Sequence, residues 1–335
     1  MLRIAIDAMG GDCGPRAVVA GALAAALDRP MGLLLVGQMD AMRAELARAG
    51  DSRPAGVTLV PADEVVGMDE APAVALRRKR HASIRVAAGL VARGRAAALF
   101  SAGNTGATVV AARSTLGMLG GVARPALATT VPTRHGAAIL LDSGANSACR
   151  PRHLVQFAVM GSVYARVALG VARPRVGLLS TGTEESKGNA LTREAHRLLK
   201  GAGLGFIGNV EAHDVFEGRA DVLVCDGFTG NIVLKLTEGL AEMVAEVLGD
   251  ELVPSGGPAN ARALARAVRR LRRRIDYTEY GGAPLLGVAG IAIVGHGRSS
   301  AKAVRNAVIL AHHFATHRIV ERIGREIAAT GVPRA

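Results

Sequence analysis

Tryptophan is absent from this 335-residue chain, and only three tyrosines and six phenylalanines are present. A sizeable core must therefore be built from Ala, Val, Leu and Ile, within a sequence that is half apolar. That is the material of a parallel sheet buried on both faces, and it argues against an all-β sandwich. Scarce aromatics also remove the stacking platforms on which single-stranded nucleic acids are held, so a nucleic-acid partner is not expected. Cysteine is scarce as well. Cys13, Cys149 and Cys225 are odd in number and far apart, which excludes a disulfide framework and a Cys-x-x-Cys metal site and fits a reducing compartment. No stretch approaches the ~20 uninterrupted apolar residues of a spanning helix. The N-terminal Met1-Leu-Arg-Ile-Ala-Ile-Asp7 leads straight into a strand pattern, so a cytoplasmic protein, not integral to a membrane, is expected.

Familiar signatures are missing too. No Gly-x-Gly-x-x-Gly follows the first strand pattern, no phosphate-binding P-loop is present, and no Gly-x-Ser-x-Gly elbow offers a hydrolase serine. His312, His313 and His317 sit in one helical pattern with no Cys or Glu at metal spacing; they read as surface or packing histidines, and no metal is expected. Cys225 closes the run Val222-Leu-Val-Cys with no base implied nearby and reads as a buried structural thiol.

What is present is a rhythm. Short β-like runs at Ile4–Ile6, Leu33–Val36, Val57–Val60, Ala97–Phe100, Ile139–Leu141, Val176–Leu179, Val222–Val224 and Ile291–Val294 alternate with longer Ala-rich helical patterns. Repeated βαβ units predict a single α/β catalytic domain over residues 1–335, a mostly parallel sheet with helices on both faces. Ligands of such folds sit outside the carboxyl ends of the strands. Polar, Gly-rich loops follow those strands at Asp7–Asp12, Ser101–Gly106, Asp142–Asn146, Thr181–Asn189, Asp226–Asn231 and Gly295–Ser299, and six of one kind point to a shared cleft. Each alone would serve as ordinary turn chemistry. Ser101-Ala-Gly-Asn-Thr-Gly-Ala107, between a buried strand and a helix, suits an anion, because backbone N–H groups can approach it and the helix N-terminus adds positive potential. The Asp226–Asn231 turn has the same character, and Lys187 adds a point charge on a third loop.

Two helical patterns interrupt the rhythm at about 235–275 and predict a protruding helical hairpin. The first, Lys235–Val253, carries Leu236, Leu240, Met243, Val244 and Val247 on one stripe and Glu238, Glu242 and Glu246 on another; Pro254-Ser-Gly-Gly-Pro258 stops it. The second, Ala259–Ile275, has Arg262, Arg266, Arg269, Arg270, Arg272, Arg273 and Arg274 around an apolar stripe, with no acid among them. Such a helix lies on an anionic membrane, grips an acidic protein or is simply solvated. The formal charge of +13 favours an acidic partner. A final long helix is expected from about Ala301 to Ile327, packed on the sheet or on a second copy.

At these loops the chain closely resembles the PlsX family of phosphate acyltransferases. The likeness is carried by Asp7-Ala-Met-Gly-Gly-Asp12, Ser101–Ala107, Leu154-Val-Gln-Phe-Ala-Val-Met-Gly-Ser162, Gly182-Thr-Glu-Glu-Ser-Lys-Gly-Asn189, Asp226-Gly-Phe-Thr-Gly-Asn231 and Gly281-Gly-Ala-Pro-Leu-Leu-Gly287, in that order along nearly the whole chain. The resemblance implies a fold like isopropylmalate dehydrogenase and phosphotransacetylase, a homodimer, no organic cofactor, and conversion of acyl-ACP and inorganic phosphate to acyl phosphate and free acyl carrier protein in phospholipid synthesis. The hairpin would meet carrier protein or membrane, with Arg262, Arg266, Arg269, Arg270 and Arg273 as the docking residues. The chain departs from the family pattern at Arg298-Ser299-Ser300 and Ala212-His213, which are given no role.

The expected chemistry is direct attack of a phosphate oxygen on the thioester carbonyl, needing an anion site, oxyanion donors and exclusion of water but no protein nucleophile. Lys187 is assigned to charge neutralisation, Asn231 and Asn104 to hydrogen bonds with phosphate or oxyanion, and Asp226 to orienting neighbours or acting as a weak base. Asp7, Gly10, Gly11, Asp12, Ser101, Gly103, Thr105, Gly106, Asn146, Thr229, Gly230 and His296 complete the expected phosphate and substrate site. A phosphotransacetylase-like enzyme using coenzyme A and a non-catalytic basic protein that binds nucleic acid are the alternatives.

Overall fold

Alternation along the first strands decides the layers. In the computed structural model, which describes residues 1–50, 54–252 and 280–330, β1 (Arg3–Asp7) points Ile4 and Ile6 to one side and Ala5 to the other. Its parallel neighbours β2 (Gly32–Gly37) and β4 (Ala98–Ser101) do the same, with Leu33, Leu35 and Phe100 opposite Leu34, Val36 and Leu99. Both sides are apolar because helices cover both. Each fully buried Leu or Ile contributes about 2 kcal/mol. One face is packed by α1 (Arg16–Asp28), α2 (Met39–Ala49), α6 (Pro151–Ala168), α7 (Ala190–Lys200), α9 (Ala301–Thr316) and α10 (Ile319–Ala329). The other is packed by α3 (Pro72–Arg78), α4 (Ser83–Ala92) and α5 (Thr105–Leu116).

The remaining strands are β3 (Val57–Pro61), β5 (Ala126–Thr133), β6 (Gly136–Leu141), β7 (Val176–Leu179), β8 (Phe206–Val210), β9 (Val222–Val224), β10 (Ala283–Leu286) and β11 (Ile291–Val294). All eleven join one sheet in the order β3-β2-β1-β4-β11-β10-β5-β6-β9-β7-β8. Two parallel blocks, β3 to β11 and β6 to β8, meet at a centre where β10 and β5 run antiparallel to their neighbours. The sheet forks there. β10 pairs Ala283 and Pro284 with β11, but only Leu285 and Leu286 with β5, so Thr129 to Thr133 of β5 pair with β6 alone.

Every strand run read from the sequence is a strand, while β5, β8 and β10 went unread. Two helical expectations need correction. The helix expected from Lys235 begins at Gly227: α8 (Gly227–Leu252) is continuous through Thr229, Gly230 and Asn231, because Asp226 caps it. The final helix is two, since the chain turns at His317 and Arg318, where Arg318 takes the left-handed φ of 52°. The second arm of the hairpin lies outside the described residues. Among the described residues no helix is long and apolar enough to cross a membrane.

Candidate active site

A cavity of about 640 Å³ opens where the carboxyl ends of β4 and β11 meet the fork in the sheet. Thr105 and Gly106, the first turn of α5, form one wall; Ser143 to Ala145, after β6, form another. Asn231, Leu234, Lys235 and Glu238, successive turns of α8, close a third, and Gly295 and His296 with Ala303 and Ala307 of α9 close the fourth. Val109, Val110, Leu127 and Val294 make the depth apolar. The N-terminus of α5 thus faces a partly apolar chamber, a setting that favours an anion.

Of the residues expected from the sequence, Thr105, Gly106, Asn231 and His296 line this cavity. Another group builds the rim behind it. Ser101 is fully buried; its Oγ donates to Asp7 Oδ2 at 2.7 Å and accepts from the Gly103 N–H at 3.1 Å. Burial pushes the Asp7 carboxyl up, against the opposing pull of the Ser83 and Ser101 hydroxyls. Gly10 is required by contact, since a Cβ there would lie 2.6 Å from the Gly103 nitrogen. Gly11 is pressed between the Gly297 and Ala102 carbonyls, and the Asp12 N–H donates to Gly297 O at 2.8 Å. Asn104 is the N-cap of α5: its Oδ1 accepts from Ala107 N–H at 3.0 Å, and its Nδ2 donates to Met68 O at 2.9 Å and Glu70 O at 3.1 Å. Its carboxamide is therefore occupied in holding α5 against residues 68–70.

Across the cavity, Asp142 anchors the loop after β6. Its carboxylate accepts from the N–H groups of Leu127, Gly144, Ala145 and Asn146 and from Asn146 Nδ2, at 2.7–3.1 Å. Asn146 also donates to Pro125 O at 2.7 Å and is buried, so its side chain serves this scaffold. Asp226 caps α8, accepting from Thr229 N–H and Thr229 Oγ1, both at 2.9 Å. Gly230 lets α8 rest on that loop: a Cβ would stand 2.0 Å from Asp142 O and 3.0 Å from Cys225 Sγ. Cys225 is buried and its thiol is pushed well up by burial, while Cys149, half-buried, is raised to about 11, burial again leading. Neither thiol is poised as a nucleophile.

Lys187 does not line the cavity. It is exposed on the loop after β7, whose turn is tied down by Asn209 Nδ2 donating to Glu184 O at 2.8 Å. That loop shares its sheet edge with the ends of β9 and β6, because the three strands are parallel neighbours. The five docking arginines lie outside the described residues. The cavity adds residues that sequence reasoning did not select: Lys235, Glu238, Ser143, Thr129, Thr130 and Tyr280. The spacing Asn231, Lys235, Glu238 was the available signal, since i, i+4, i+7 is one helix face. Burial raises the Glu238 carboxyl above its ordinary 4.5; His296 opposes this, Glu242 adds to it, and Lys235 and Arg298 pull the other way. Glu211, His213 and Asp214 stand close enough to share a metal, but Asp214 is already paired with Arg219 at 3.0 Å, and none of the three lines the cavity.

The fold is shared with solved phosphotransacetylase structures. The structure of a phosphotransacetylase from Streptococcus pyogenes superposes with a TM-score of 0.67 over 94% of each chain, at 18% identity. In sequence, the family described as "Fatty acid synthesis protein" matches residues 2–322. A phosphate acyltransferase of Pelotomaculum thermopropionicum is 48% identical over 333 residues, 99% of this chain and 96% of the relative. Another, of Heliobacterium modesticaldum, is 49% identical over 327 residues, covering 97% and 98%. The chain belongs to this family, PlsX, and is an acyltransferase of fatty acid and phospholipid synthesis.

Proposed function

We propose that the protein moves an acyl group from an acyl-carrier-protein thioester to inorganic phosphate by direct attack. A phosphate oxygen forms the new C–O bond, the C–S bond breaks, and the carrier thiolate leaves and takes a proton from solvent. The observation that carries this reading is the N-terminus of α5 opening into a chamber that is polar at the rim and apolar in depth. The free N–H groups of Thr105 and Gly106 favour the phosphate there. Lys235 offsets its charge, and Asn231 donates to the developing oxyanion. Lys187, on the loop after β7, shares the sheet edge with the loop after β6 and supplies a second cation to the bound substrate. Asp7, Ser101, Asn104, Asp142, Asn146, Asp226 and Thr229 hold these groups in place.

The charge of +13 suits an acidic carrier protein, with Arg262, Arg266, Arg269, Arg270 and Arg273 as its docking residues, and it also suits peripheral contact with an anionic membrane. The whole chain acts as one catalytic unit, and as a homodimer.

The test is acyl phosphate formation by purified protein from palmitoyl carrier protein and inorganic phosphate, with palmitoyl-coenzyme A in parallel. Phosphate-dependent product from the carrier donor is expected, and loss of at least tenfold in kcat/KM is expected for Asn231→Ala, Lys235→Ala and Lys187→Ala without loss of folding. Product from coenzyme A alone reassigns the donor, and near-normal rates in all three variants overturn the assigned site.

A further inference from the structure

A second cavity, of about 410 Å³, lies on the face of the sheet covered by α6 and α9, and it shares two lining residues, Thr130 and Tyr280, with the first. The fork explains how cavities on opposite faces can meet. Thr129 and Thr130 are successive residues of β5 and point to opposite faces, yet both line the first cavity, because β10 leaves β5 before reaching them. The first cavity therefore passes between the two halves of the sheet. Tyr164 marks the far side: its hydroxyl lies 3.0 Å from Thr130 Oγ1, and its ring lines the second cavity.

α9 borders both. Ala303 and Ala307 line the first cavity, with Ser299 just before the helix, and further along Asn306, Ile309, Leu310 and His313, mostly on an adjoining side of the helix, line the second. From Ala303 to His313 the helix rises about 15 Å. An extended chain advances about 1.2 Å per bond, so this length of α9 accommodates a chain of about a dozen carbons. Small residues at the near end leave room; Leu310, Ile309 and Leu169 give the second cavity an apolar wall, and beyond them His312, His313 and Thr316 make its end polar.

We propose that the acyl chain of the donor threads from the first cavity through the fork, past Thr130 and Tyr280, into the second, where Leu310 and its neighbours limit its length. This rests on the acyl-transfer reading above. Its test compares kcat/KM for carrier-protein thioesters of eight, sixteen and eighteen carbons. Leu310→Trp should lower the sixteen-to-eight ratio at least tenfold, and Leu310→Ala should raise the eighteen-to-sixteen ratio at least threefold. Ratios within twofold of wild type in both variants overturn the proposal while leaving the acyl-transfer reading intact. Calorimetric binding of palmitate separates the two failures. If no donor yields acyl phosphate but palmitate binds wild type and binds Leu310→Trp at least tenfold more weakly, the chain site stands and the reaction does not. Palmitate binding unaffected by Leu310→Trp counts against the chain site whatever the turnover.

Discussion

Glu238 is the only acid lining the cavity among the described residues, and it sits on the same wall as Lys235. Its carboxyl is raised, so it stays neutral to a higher pH than an ordinary Glu and ionises as pH climbs through that raised value. Once ionised, it places a negative charge beside the proposed phosphate site. Repulsion of about 1 kcal/mol, the order expected of a nearby charge in a wet site, corresponds to about fivefold in affinity. Glu238→Gln mimics the neutral form permanently. KM for phosphate in this variant should match wild type at low pH and fall about fivefold below it as pH rises past the raised value. Steady-state kinetics across pH, taken as the ratio of the two proteins, removes the titration of phosphate itself; a ratio that is flat with pH would show that Glu238 does not face the anion. Lys235 and Glu238 share a helix face with Asn231 in the sequence, but charges in an amphipathic helix read as its solvated face. Here that face looks into a cavity, and the apolar stripe looks outward.

Elements meet at this site by contact, and Gly230 is where the fit is tightest. The first turn of α8 lies on the carbonyl of Asp142, at a place where a methyl group would overlap it. Gly230→Ala must lift α8 away from the loop after β6, carrying Asn231 and Lys235 with it. Overpacking of this kind costs about 1–3 kcal/mol, which a domain of this size survives as a folded protein. Activity should drop far more than stability: at least a hundredfold in kcat/KM, against a lowering of only a few degrees in Tm. Thermal melts beside kinetics decide it, and wild-type activity would mean α8 need not touch the loop. Eight strands were legible because their runs are short and apolar, interrupted only by Thr58 in β3 and Gly177 in β7. The three that were not have visible causes: β5 is interrupted by Thr129, Thr130 and Pro132, β10 carries Pro284, and β8 includes Gly208 and Asn209. Two of these, β5 and β10, make the antiparallel centre and hence the fork, so the parallel blocks could be read from sequence while the opening between them could not.

At the scale of the molecule, α8 is built the wrong way round for an isolated chain. Phe228, Ile232, Leu236, Leu240, Met243 and Val247 are exposed, at spacings that place them along one helix face. Over twenty residues this stripe is about 28 Å long, and a contiguous apolar patch of such length marks a contact surface. A second copy of α8 offers a matching stripe, and two-fold pairing is the commonest arrangement for a soluble homo-oligomer. The expected result in analytical ultracentrifugation is a species of twice the 34.4 kDa chain mass. Leu236→Glu combined with Leu240→Glu puts like charges face to face at the centre of the stripe and should yield monomer, with the cavity left in place. A wild-type protein that sediments as monomer at micromolar concentration excludes pairing through α8. Co-flotation with anionic vesicles, abolished by the same two substitutions, would then assign the stripe to a membrane surface, where the basic charge of the chain adds to its hold.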